Sequence, residues 1–179
     1  GTPIALGYLA VSFTLGIVAK KSGLTAVQAG LTAFLTNASA GGYVGFTLIA
    51  ASASYLEMAL TQLIINARYL LMSCALSQKL SPDTSLFHRM LIAFDVTDEI
   101  FGISISVSGP LNPFYNYGAM AVAIPGWTLG TVLGVLMGNV LPTDLVSALN
   151  VGLYGMFLAI VIPPARKNRV IALLVILSM

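Results

Sequence analysis

Charge is what this sequence has least of. Of its 179 residues 8% are charged, eight Lys or Arg against six Asp or Glu, with one His. A soluble globular domain carries about a quarter of its residues as charges. With 58% of residues hydrophobic and a mean hydropathy of +0.94, too few polar side chains remain to cover a water-facing surface. The chain therefore reads as an all-α, polytopic membrane helix bundle. A net charge of +2 says nothing about nucleic acid; the few basic residues lie between apolar runs, where loop anchors sit, and no nucleic-acid partner is expected. Cysteine is limited to Cys74, so an internal disulfide is excluded. No metal-ligand spacing, nucleotide loop or nucleophile–base arrangement occurs. No metal, cofactor or catalytic residue is expected, and the chain reads as no enzyme. No signal peptide stands apart from the apolar segments, which themselves direct insertion. The chain begins at Gly1 and stops at Met179 inside "VIALLVILSM". It is expected to be one transmembrane domain, 1–179, and a fragment of a longer chain.

The apolar runs are then measured against the roughly 20 residues a span needs. Residues 3–19 make a first span, closed by "KKSG". Residues 24–54 are too long for one straight span and are interrupted by "TNASAGGYVG", which predicts a broken or partly unwound helix. Such backbone is tolerated at membrane depth only inside protein or along a cavity. Residues 55–77 read as a third span, followed by the loop "SQKLSPDTS". Residues 89–108 are apolar except for "DVTDE", and "GPLNP" ends them. Residues 114–141 read as long and broken near "IPGW"; residues 144–162 form another span, stopped by "PPARKNR".

A weak internal repeat joins "TLGIVAKKSGLTAVQAGLTAFL", from Thr14, to "TLGTVLGVLMGNVLPTDLVSALNVGL", from Thr128. The repeat halves would be 1–78 and 114–179. Loop charge adds a parity argument. With Lys20 and Lys21 in the cytoplasm and 24–54 crossing once, Lys79 and Arg89 are cytoplasmic too. "RKNR" then returns inside only if the acidic segment enters and leaves by one side, so that helix is expected to be re-entrant. The two TLG runs would then point in opposite directions, as in an inverted repeat of the kind common in secondary transporters.

Three constellations carry polar chemistry. On a continuous helix at 100° per residue, Gln62, Asn66, Tyr69, Ser73 and Ser77 share one face, and Glu57, Thr61 and Arg68 share another. Small and polar side chains of this kind tie spans together. Arg68 is a different matter, because a central arginine costs roughly 2.5–3.5 kcal/mol on insertion scales. It is either snorkelling, ion-paired or part of a substrate pathway. Asp95, Asp98 and Glu99 are half of the six acidic residues. On a helix they share a face continued by Gly102 and Ser106, with Gly102 open to a close neighbour. They read as a boundary cluster, a proton relay, a cation site or the counter-charge to Arg68. In "TNASAGG", Gly41 and Gly42 permit close approach or positive φ. Free amides at a helix break suit a carboxylate, with Asn37 and Ser39 as added donors; the alternative is a small-residue packing surface. His88, Trp127 and the tyrosines are placed as interfacial anchors.

Together these segments resemble the AzlC-type family, the large subunit of branched-chain amino acid exporters. "LTNASAGGYVG" resembles the family's small-residue motif, and "TQLIINARYLLMSCALS" its Asn-x-Arg signature. "DVTDEIFG" resembles its Thr-Asp-Glu motif, and "GWTLGTVLGVLMG" its Trp-x-x-Gly-Thr motif. The resemblance spans nearly the whole chain. Two departures concern substrate identity: Ala40 stands where many members have Gln, and Tyr69 where many have His. The resemblance implies export of branched-chain or similar apolar amino acids across the plasma membrane by a multi-pass subunit. It also implies a small AzlD-type membrane subunit as partner. Arg68, Asn66, Asn37, Ser39, Gly41 and Gly42 would bind substrate. Asp95, Asp98 and Glu99 would supply the coupling or counter-charge. The rivals are a channel for a small solute and a non-transporting assembly subunit.

Overall fold

A long helix, α1 (Thr2–Lys21), opens the chain, and another, α8 (Pro113–Met137), closes the part the structure describes. The computed structural model describes residues 2–138. The expected span at 144–162, the "RKNR" loop and most of the repeat half 114–179 lie outside them. Between the long helices come α2 (Ala26–Thr36), α3 (Ser39–Ala50), α4 (Tyr55–Ile65), α5 (Ala67–Lys79), α6 (Leu86–Phe94) and α7 (Asp98–Ile105). The described residues contain no strand, only one isolated bridge between Leu80 and Leu111.

The two long helices pack backbone to backbone. Gly126, Gly130 and Gly134 recur every fourth residue on α8. A Cβ on them would strike the α1 carbonyl oxygens of Ala5, Leu9 and Phe13 respectively. Gly16 of α1 returns the contact against Thr131 and Gly134. Membrane helices have little hydrophobic drive to associate, so close approach through small residues supplies the attraction. The contacts advance together along both helices, so α1 and α8 run parallel. The two TLG runs they carry therefore point the same way, not oppositely as loop charge suggested. Helix α8 is also continuous through Pro125, with no break near "IPGW".

The remaining helices form three broken pairs. α2 and α3 make a hairpin. Leu24 donates to the Ala19 carbonyl at the end of α1, and α2 then runs back beside α8, Gly30 against Val132. The break is Asn37–Ala38, with Asn37 left-handed at φ 41. α3 returns alongside α1, Gly42 against Leu15. The loop-charge argument let residues 24–54 cross once; they turn back instead, so Lys79 lies at the opposite end of the bundle from Lys20. α4 and α5 form a traversing pair bent by 46° at Asn66. The continuous polar stripe expected through Asn66 is therefore split in two.

α6 and α7 form the second hairpin, broken at 95–97, and enter from the other end. Leu111 donates to the Lys79 carbonyl at 2.8 Å, so the segment leaves and returns at one place. Nine and eight residues give helices of about 12–14 Å, against the roughly 30 Å of a bilayer core. Arg89 ties down the approach to this hairpin, donating to the carbonyls of Ser77, Ser81 and Thr84.

Candidate functional site

The tips of the two hairpins meet beside the α1–α8 pair. They enclose a cavity of about 20 Å³, lined by Asn37 and Ser39 from one tip and Thr97, Asp98 and Glu99 from the other. Tyr8, Val11, Tyr69 and Trp127 complete it. That volume holds about one water.

The helix caps explain how the tips are built. Thr97 caps α7, accepting from the Ile100 amide, and Ser54, Ser85 and Asn112 cap α4, α6 and α8 in the same way. Thr25 and Gln28 form a reciprocal capping box on α2. Among α2 to α8, two helices start with no side-chain cap, α3 at Ala38 and α5 at Asn66. The first amides of a helix lack intrahelical acceptors, so α3 presents free donors and the positive end of its dipole beside the cavity.

Arg68 stands in the first turn of α5. Its Nη1 donates to Asp98 Oδ2 at 2.5 Å, and its Nη2 to the Tyr69 hydroxyl at 3.3 Å. The two side chains of the ion pair are 40% and 25% exposed. The guanidinium also lies over the Tyr69 ring, 5.0 Å from its centroid, a cation–π arrangement. Glu99 is held by the Tyr8 hydroxyl, which donates to its Oε2 at 2.5 Å and lies 2.6 Å from Thr97 Oγ1. Tyr8 in turn packs edge-on against Trp127, centroids 5.4 Å apart.

The sequence-derived residues divide into two groups. Asn37, Ser39, Asp98 and Glu99 line the cavity, and Arg68 joins it through Asp98. Asn66, Gly41 and Gly42 do not line it. Gly41 and Gly42 are helical residues of α3, not part of the unwound pair, and the Gly42 amide is already bonded to the Ala38 carbonyl. Gly41 makes room for α4: Gln62 donates to its carbonyl at 2.7 Å and Asn66 donates to Gln62 at 2.9 Å. The three acids do not share a helix face, because Asp95 caps the end of α6 while Asp98 and Glu99 open α7. Gly102 stands in open space, with no close neighbour among the described residues.

Sequence reasoning missed Tyr8, Thr97 and Tyr69 as site residues and sent Trp127 to an interface, where the structure buries it at 4% exposure. The available signals were a tyrosine inside the first apolar span and a tryptophan set between Gly126 and Gly130. His88 bonds the Tyr117 hydroxyl through Nδ1 at 2.7 Å among Phe87 and Phe114, away from the cavity.

Half-length helices entering from opposite ends, a traversing arginine and a buried acidic tip define a membrane protein with a central polar site. The family model for AzlC protein matches residues 3–141, and the chain belongs to that family. An uncharacterized membrane protein of Archaeoglobus fulgidus is 32% identical over 170 residues, 94% of this chain and 74% of that protein. The inner membrane protein YgaZ of Escherichia coli is 26% identical over 141 residues, 76% of this chain and 58% of its own length. No solved structure matches the chain significantly.

Proposed function

We propose that this chain is a plasma-membrane, multi-pass transporter subunit. It exports branched-chain or similar apolar amino acids together with a small AzlD-type membrane subunit. One observation carries the reading: two half-length hairpins from opposite ends converge on an Arg68–Asp98 pair beside the uncapped start of α3. A zwitterion needs donors for its carboxylate and an acceptor for its ammonium, close together and away from bulk water. The α3 amides, Asn37 and Arg68 suit the carboxylate, and Asp98 or Glu99 suits the ammonium. Val11, Trp127 and the Tyr8 ring give an apolar wall for the side chain.

A cavity of about 20 Å³ is too small for any amino acid, so the conformation described is closed at the centre. Substrate access requires a hairpin tip to withdraw, and withdrawal of one at a time gives alternating access to the two ends. The test is efflux of labelled leucine, isoleucine and valine from preloaded cells, with and without the small partner. Saturable efflux that needs both Arg68 and Asp98 supports the reading. Unchanged efflux on deleting the chain would reject it. Reduced partner abundance with normal flux per complex in Arg68 and Asp98 variants would favour an assembly role.

A further inference from the structure

We propose that Asp95 is the proton-carrying group of the cycle, protonated while the hairpin tips are closed on an empty site and ionised when the α6–α7 break opens to water. This rests on the transport reading and assigns its coupling to one side chain.

The three carboxyls at the tip have different surroundings. Asp98 is neutralised by Arg68, and Glu99 accepts from the Tyr8 hydroxyl. Asp95 is 2% exposed, and among the described residues neither of its oxygens has a hydrogen-bond partner. It does not line the central cavity, so the one-water space there does not hydrate it. Among the described residues, the titratable groups that act on it electrostatically are the Glu99 carboxyl, on its own hairpin, and the Tyr8 hydroxyl from α1. Neither is a cation. Its apolar neighbours on the hairpin are Ile92 and Val96, both buried. An ionised carboxylate with no donor and no counter-charge is far costlier to bury than a neutral acid. In this conformation the side chain is therefore the acid, with its proton on one of the two buried oxygens.

Its position supplies the coupling. Asp95 ends α6 inside the three-residue break, its own amide bonded weakly to the Ile92 carbonyl at 3.4 Å. The movement that withdraws the tip is a rotation about this break, so it also brings the carboxyl to water. On opening, the acid O–H bond breaks heterolytically, the proton passes to water and the carboxylate remains. When the tips close over substrate, the ammonium supplies the counter-charge the empty site lacks and the carboxylate stays ionised. After the substrate leaves at the other end, the carboxylate takes a proton from water there before the empty site closes, so one proton crosses per substrate, in the opposite direction. A zwitterionic substrate has no net charge, so each cycle moves one positive charge.

The experiment uses the full-length chain with its partner in lipid vesicles and labelled leucine. At one proton per leucine, an imposed gradient of about one pH unit drives about tenfold accumulation. Wild type should reach it, and Asp95→Glu should retain it. Asp95→Asn, a permanent mimic of the neutral acid, should lose accumulation yet keep leucine–leucine exchange, which moves no net proton. Gradient-driven accumulation by Asp95→Asn would overturn the proposal. A second readout needs no transport: the infrared carbonyl band of a protonated carboxyl at neutral pH, present in wild type and missing from Asp95→Asn. Its absence from wild type, or its persistence in the variant, overturns the proposal even if leucine is transported. A normal band with no leucine flux in any arm would instead reject the transport reading.

Discussion

Neutralising Asp98 alone should cost more stability than neutralising Asp98 and Arg68 together. An exposed ion pair contributes about 0–1 kcal/mol, and breaking a fully buried one costs about 3–5 kcal/mol. At 40% and 25% exposure this pair lies between those limits, so Asp98→Asn and Arg68→Gln should each cost about 2 kcal/mol. The double variant leaves no lone charge and should cost about 1 kcal/mol, a coupling of about 3 kcal/mol. For a chain of this size each kcal/mol moves the unfolding midpoint by about 2–4 °C, which a thermal ramp of the purified protein in detergent resolves. Two single shifts that simply add in the double variant would refute the pairing. Flux separates charge from shape. In Arg68→Lys the ammonium keeps the charge but cannot reach Asp98 and the Tyr69 hydroxyl at once, as the two guanidinium arms do. That variant should be as abundant as wild type in the membrane and transport poorly. Near-normal flux from it would leave Arg68 a structural residue.

Leucine at Gly130 would drive a side chain into the Leu9 backbone and should abolish folded protein in the membrane, whereas Gly102→Ala, in open space within α7, should be neutral or stabilise by up to about 1 kcal/mol; comparable yields of the two would contradict the α1–α8 contact. In a Cys74-free background, single cysteines beside Lys79 and Asn112 should react from one side of the membrane, and cysteines beside Lys21 and Ser52 from the other. Labelling of Lys79 and Asn112 from opposite sides would rule out the α6–α7 hairpin. Tyr8→Phe removes the donor to Glu99 and should lower flux with little change in abundance; full flux per folded molecule would take Tyr8 out of the site.

Some of this architecture was legible in the sequence because membrane energetics leave few choices. An apolar run of about 20 residues becomes α1, and small polar residues inside a longer run become the break at Asn37–Ala38. A lone arginine among apolar residues needs a counter-charge, and Asp98 stands against it. The bend at Asn66 was not legible. Its flanking residues keep helical periodicity in type, and only the Gly41–Gln62–Asn66 contact shows why the helix ends there. Pro125 looked like a stop, yet α8 runs through it. Asp95 fits the acidic helix face by spacing, but Thr97 caps a new helix and separates it. Tyr8 and Trp127 gave no charge signal, since their role depends on which tip comes to rest beside them. The relative direction of α1 and α8 depends on two hairpins that each return to their starting end, and loop charge alone counted one of them as a crossing.

The glycine contact between α1 and α8 also decides which part of the machine can move. Two backbones in direct register have no side-chain layer to shear across, so sliding them by even part of a turn would set carbonyls of Leu9 or Phe13 against new backbone. The pair is a fixed mast, and the stroke belongs to the short helices hung on either side of it. Tethering α1 covalently to α8 should therefore leave the cycle intact. A tether between the tips, from Asn37 to Thr97, should arrest it, and equal loss from both tethers would show that the mast itself bends.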